Sequence, residues 1–358
     1  MAQPTSLVWP RDPHTEAKHN ILRGYLDAYF PIMINHGFDR VTYAEGFAGP
    51  GEYLNGEPGS PVIALEAALA RPEVATAIYR LRFAFVEENR PRYERLREIV
   101  NARWPQADRP AQLIRGACGD CRDQLALTLE KSGSWGQPIF ANLDAWNTDI
   151  PLPLVRRFAS NQASEVMVTL TTDYFTRFAN QPDLPGDDVF GNANWREVVH
   201  QDSASKTRFV VECYRQALRD AGFQFTLVFE LVDEGGRAVH IFHGSNHPRA
   251  LERMKDSMWK VDPIRGTRFR DPRDPSQGTL DLGPDAPLLA PLKRMLLTEI
   301  SHRGRCSVDA LRDYALFETM YRPTHAQQAV RELVKDVVLD RDPAKGQVTR
   351  NTIVWSRL

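Results

Sequence analysis

Apolar runs that recur about thirty residues apart, each closing on or near an acid, constrain this chain more than any other feature. The run Phe38 to Tyr43 leads into Glu45, and Leu81 to Val86 into Glu87. Gln112 to Arg115 is followed by Asp120, and Pro138 to Leu143 ends at Asp144. A fifth run, Ser164 to Thr171, is rich in Val, Met and Thr. Helical patterns separate them. One opens at Ser60-Pro61, with serine as N-cap and proline at the first helical position, and runs to about Ala70. Others cover Pro91 to Arg103 and Arg122 to Lys131. Such alternation predicts an α/β fold with βαβ units, a mostly parallel sheet and right-handed crossovers. Ligands in these sheets bind outside the carboxyl ends of the strands, where the four acids fall.

The first strand runs into Glu45-Gly46-Phe47-Ala48-Gly49-Pro50-Gly51. Glycines there let backbone approach a ligand with no Cβ in the way. They fall as G-x-x-G-x-G with Leu54 beyond, so this is not the dinucleotide fingerprint G-x-G-x-x-G. No Gly-Lys-Ser/Thr follows, which excludes a P-loop.

An amphipathic helix is expected over Thr15 to His36, with Ile21, Leu22, Tyr25, Leu26, Tyr29 and Phe30 on its apolar face and Gly37 as its stop. Gln181 to Ala193 reads as a mobile flap or insertion. A helix over Lys206 to Ala221 precedes a hairpin, Phe223 to Leu231 with Ala238 to Phe242, as the antiparallel end of the sheet. A helix follows over Pro248 to Trp259. Residues 263–291 are expected to be a linker between a domain of residues 1–262 and one of residues 292–358.

The last unit reads as three helices (Leu292 to Ser301, Val308 to Tyr314, Pro323 to Lys335) and two strands (Val337 to Arg341, Gln347 to Trp355). That is the plan of a winged-helix domain. From Lys293 onward it carries 12 Lys/Arg against 8 Asp/Glu, although the whole chain has a net charge of −1. Arg322, Arg331, Lys345 and Arg350 are placed to face a phosphate backbone, so nucleic acid is an expected partner of this unit.

No run of about 18 apolar residues suggests a transmembrane helix, and Met1 to Arg11 lacks the apolar core of a secretory signal, so a cytoplasmic protein is expected. The four cysteines (118, 121, 213 and 306) include one C-x-x-C with no second pair to complete a zinc set, and no metal is expected.

With these residues in view, Glu45-x-Phe47-Ala48-Gly49-x-Gly51 resembles the first motif of class I S-adenosylmethionine-dependent methyltransferases. The resemblance implies that Glu45, Gly46, Phe47, Gly49 and Gly51 meet the methionyl part of S-adenosylmethionine. Glu87 suits the ribose hydroxyls, and Asp120, with Cys121 beside it, suits the adenine. Methyl transfer from a sulfonium is chiefly a matter of alignment, with a base needed only where the acceptor must lose a proton. Asp144 and Asn147 lie where the acceptor should arrive, and Trp146 and Tyr174 can stack on a flat substrate.

The chain as a whole resembles the three-Cys-motif partner (TcmP-like) family. The matching segments are His14-Thr15, Lys18 to Leu22, Tyr43 to Tyr53, Gly56 to Pro61, Asn246-His247 with Met254 and Trp259, and Tyr321-Arg322 in the tail. This implies a Rossmann-like methyltransferase fold, Lys18 and His19 at the substrate, and a separate partner bearing a three-cysteine motif, of iron–sulfur or radical type. Where that family carries Asp-Pro-Phe-Gly after the fourth strand, this chain has Asp144-Ala145-Trp146-Asn147. The altered motif and the basic tail leave a second reading, a non-catalytic DNA- or partner-binding adaptor on the same fold. A third reading makes Asp120, Asp144 and Asp173 metal ligands of a nucleotide-processing enzyme.

Overall fold

The computed structural model describes residues 6–145, 150–181, 184–273 and 286–357. Eight strands form the main sheet: β1 Val41–Glu45, β2 Leu81–Glu87, β3 Ile114–Cys118, β4 Ile139–Asp144, β5 Glu165–Leu170, β6 Phe225–Val232, β7 Ala238–Ser245 and β8 Arg268–Arg270. Their order is β3-β2-β1-β4-β5-β7-β6-β8. The pairs β1–β2, β1–β4, β2–β3, β4–β5 and β6–β8 are parallel, while β7 is antiparallel to both β5 and β6. This is a Rossmann-like sheet, mostly parallel, whose strand order reverses between β1 and β4.

Helices cover both faces, so β1, β2 and β5 are buried along their whole length. On β1, Tyr43 faces one core and Ala44 the other. The Tyr43 side is covered by α1 (Pro13–Asn35), α2 (Ser60–Leu69), helix Arg90–Arg103 and helix Pro248–Val261. Helices Cys121–Lys131, Leu152–Ala159 and Lys206–Ala221 cover the other side. α1 ends at Asn35, and Gly37 follows in the left-handed region. Helix Lys206–Ala221 likewise stops at Gly222, at φ 117°.

Four details differ from the sequence reading. The N-cap of α2 is Gly59, which puts Ser60 inside the helix. β3 begins at Ile114 and Asp120 lies beyond its end. The expected flap contains helix Gly186–Phe190 and runs into a 3₁₀ segment, Asn194–His200. There Phe190 and Trp195 are fully buried and stack at 5.6 Å, so aromatic burial anchors a stretch whose Pro, Gly, Asp and Asn content suggested mobility. The expected linker contributes β8 to the sheet edge.

The C-terminal unit has its own core, built on Leu292, Leu296, Val308, Leu311, Val330 and Val354. Its elements are helix Ala290–Arg303, strand β9 (Arg305–Ser307), helices Val308–Glu318 and Pro323–Lys335, and strands β10 (Leu339–Asp342) and β11 (Ile353–Ser356). The strands form an antiparallel sheet in the order β10-β11-β9. Helix Pro248–Val261 joins this unit to the main sheet. Fully buried Lys255 donates to the carbonyls of Ala315, Leu316, Thr319 and Tyr321 at 3.1, 2.5, 2.6 and 3.2 Å. Trp259 Nε1 donates to Met320 O at 2.8 Å. Arg322 belongs to this junction as well, with its guanidinium on His325 and 3.7 Å from Asp256, so it does not stand free for phosphate as expected. Arg331, Lys345 and Arg350 are exposed. Among the described residues no helix is long and apolar enough to cross a membrane.

Candidate active site

The turn after β1 is held from both sides. Gly46 N–H donates to Asn142 O on β4 at 3.4 Å, and Ala48 N–H to Val86 O on β2 at 2.9 Å. Gly49 N–H donates to the Glu87 carboxylate at 2.8 Å, and Asn89 N–H reaches its other oxygen at 2.9 Å. Glycine is required at two places. Gly49 and Gly51 have φ of 64° and 83°, where a side chain strains the backbone, and a Cβ on Gly51 would also lie 2.7 Å from Leu96. Gly59 N–H closes the loop on Gly51 O at 2.8 Å.

This turn forms one wall of a cleft at the carboxyl ends of the strands. Phe47, Gly49, Gly51, Tyr53 and Glu87 line that wall. Opposite lie Lys18 and His14 of α1, Asp144 and Ala145 at the end of β4, and Thr169 and Thr171 around the end of β5. Glu87 is 6% exposed, and each of its oxygens takes one backbone donor, leaving acceptor capacity toward the cleft.

Lys18 and Asp144 form an ion pair across the cleft, both side chains mostly buried. Burial raises the Asp144 carboxyl, but the Lys18 ammonium, the Thr169 hydroxyl and the nearby His19 together hold it below its ordinary range. His19 points away from the lining and is buried against the Tyr53 ring, and burial followed by the Lys18 charge lowers it to about 3. It is therefore a neutral imidazole.

Of the residues singled out in the sequence, the structure brings Lys18, Phe47, Gly49, Gly51, Glu87 and Asp144 to one cleft. It withholds others from that lining. Glu45 is completely buried behind it, accepting from Asn142 Nδ2 at 2.7 Å, and burial raises its carboxyl to about 8. A Cβ on Gly46 would collide with Cys121 Sγ at 2.2 Å, so both are packed beneath the turn. Asp120 is occupied as N-cap of helix Cys121–Lys131, accepting from Arg122 N–H at 2.8 Å and pairing with the Arg122 guanidinium. Tyr174 packs on Phe175 and Phe178. Trp146 and Asn147 lie outside the described residues. Among the described residues no group of three or more His, Cys, Asp or Glu is placed to hold a metal, so Asp120, Asp144 and Asp173 are not gathered.

Trp9, Arg92, Thr169 and Thr171 also line the cleft without having been singled out. Only the β5 pair had a local signal, since a strand's carboxyl end is where ligands bind.

No family model matches the sequence, and no curated protein matches it. Solved structures with a similar arrangement include cofactor-bound Rv0187 from MTB, at 10% identity and a TM-score of 0.36, over 63% of this chain and 79% of that one. The O-methyltransferase TomG from Streptomyces achromogenes, in complex with SAM, aligns at 14% identity and 0.36 over 62% and 79%. The human methyltransferase 10 domain containing protein aligns at 11% identity and 0.34 over 63% and 82%.

Proposed function

We propose that the chain is an S-adenosylmethionine-dependent methyltransferase whose donor sits on the turn after β1. The observation that carries this reading is Gly49 N–H bonded to Glu87, which ties the turn after β1 to the carboxyl end of β2 beside the cleft. That pair fixes an acceptor carboxylate beside a side-chain-free backbone, the chemistry a nucleoside sulfonium requires. The sequence motif Glu45-x-Phe47-Ala48-Gly49-x-Gly51 supports the same assignment. On this reading Glu87 holds the ribose hydroxyls, while Gly49, Gly51 and Phe47 contact the methionyl part. Glu45 acts from behind by fixing Asn142 and the turn. Asp120 would reach the adenine only if the Arg122 pair opened, and Cys121 supports the turn from beneath.

The acceptor enters past Lys18 and Asp144. Asp144, held as a carboxylate by Lys18, is the group available to take a proton from a nitrogen or oxygen acceptor. The donor's sulfonium supplies the methyl group; the chain supplies alignment.

The C-terminal unit fits a winged-helix module by its element order. We propose it as the place where nucleic acid or a three-cysteine-motif partner is engaged, in a cytoplasmic setting. A non-catalytic adaptor is the second reading, favoured by the ion pair that already occupies Asp144.

Isothermal titration with S-adenosylhomocysteine tests the assignment. Wild type should bind saturably, and Glu87→Ala should lose at least tenfold in affinity, about 1.4 kcal/mol or more. Equal affinity in the two proteins removes the ribose contact, and no binding to wild type at millimolar ligand ends the methyltransferase reading.

A further inference from the structure

A second cavity lies at the other end of the sheet, at the amino ends of the parallel strands. Thr169 lines the cleft and Glu165 lines this cavity, so β5 touches both. Its volume is about 260 Å³, well above the roughly 30 Å³ a water takes in the liquid. Tyr25, Tyr29 and Ile32 of α1 line it with Phe38, Ala163 and Glu165, and polar side chains, among them Arg249 and Arg253, line it as well.

The polar content of this cavity is unusual. Glu165 is 6% exposed, yet no lysine or arginine pairs with it among the described residues. Its hydrogen bonds come from the Tyr25 hydroxyl and from His243 Nε2, the latter at 2.9 Å, and both land on Oε2. Oε1 takes no hydrogen bond among the described residues. His243 Nδ1 and the Tyr29 hydroxyl are buried without partners there too. Together the Tyr25 hydroxyl and His243 Nε2 fix the orientation of the Glu165 carboxyl through Oε2.

A carboxylate this buried is costly unless a cation or several donors meet it. Here one oxygen remains open beside aromatic rings, whose faces also attract cations. Arg253, at the mouth, is already drawn to Asp256 at 3.0 Å, and exposed Arg249 is screened by solvent.

We propose that this cavity is a binding site for a small organic ammonium with an aromatic or aliphatic body. The charged nitrogen meets Glu165 Oε1 and the body lies against Tyr25, Tyr29 and Phe38. The site is separate from the cleft and independent of the methyltransferase reading. α1 carries Lys18 into the cleft and Tyr25 and Tyr29 into the cavity, so an occupant here touches the helix that closes the other site.

Phenethylamine and its neutral counterpart 2-phenylethanol are the probes, titrated into the full chain by calorimetry and by two-dimensional NMR. The amine should bind at least tenfold more tightly than the alcohol. Glu165→Gln should bring that ratio close to one, and Ala163→Trp, which fills the cavity from a loop, should abolish binding of both. If Glu165→Gln fails to fold, the wild-type ratio and Ala163→Trp decide the matter. Equal binding of amine and alcohol by wild type, absence of saturable binding, or undiminished amine binding by folded Ala163→Trp would overturn the proposal. Saturating S-adenosylhomocysteine should leave amine binding in place, and displacement of the amine would place it in the cleft and overturn the proposal equally.

Discussion

At the scale of single residues, the acid after β1 behaves unlike the acid after β2. Glu45 and Glu87 end adjacent parallel strands, yet one is sealed and the other opens on the cleft. Burial raises Glu45 from an ordinary 4.5 to about 8, so the folded chain holds this proton more tightly than the unfolded chain does. The sign follows. Between pH 4.5 and 8 the unfolded carboxyl ionises while the folded one stays neutral, so this group's contribution to stability falls as pH rises through that window. Glu45→Gln keeps an acceptor for Asn142 and cannot ionise. Urea unfolding should find the variant gaining on wild type from pH 5 to pH 8, with the two curves converging toward the acid end. Parallel curves would mean that Glu45 is ionised in the folded state.

At the scale of elements, legibility followed local chemistry. β1, β2, β4 and β5 could be read because both of their faces are covered and they appear as near-continuous apolar runs. β8 and β9 are three residues each and polar at their ends, so no periodicity marks them. The glycine turn and Glu87 were legible through backbone need and position. The diversion of Asp120 to a helix cap was not, because strand-end acid and N-cap read alike in sequence. Lys255 gave no signal either: in helix Pro248–Val261 it looks like a solvated lysine. Instead its ammonium collects the carbonyls that end helix Val308–Glu318, where a cation is favoured by the unsatisfied C=O groups. Lys255→Met would leave those carbonyls buried without donors, a loss of about 2–4 kcal/mol. Chemical denaturation should register this as a lower midpoint or as a separate early transition of the C-terminal unit. An unchanged single transition would show that water can replace the ammonium.

At the scale of the whole molecule, charge is distributed unevenly. A net of −1 over 358 residues hides a C-terminal unit that is basic by four charges, twelve minus eight, which leaves the remainder acidic. Because Arg322 is spent on the junction between the units, the cations available to a phosphate backbone there include exposed Arg331, Lys345 and Arg350. Neutralising three phosphates releases counterions and gives a log–log salt slope of about −3 for duplex DNA. If the unit engages nucleic acid, fluorescence anisotropy across a salt series should give a slope near that value. The triple glutamine variant should flatten the slope while leaving affinity for S-adenosylhomocysteine intact, since none of the three residues lines the cleft. A slope that survives the triple substitution would assign binding to another surface. A flat slope for wild type would turn the basic unit toward a protein partner instead, whose recognition would rest on its exposed apolar residues such as Phe317 rather than on its charge.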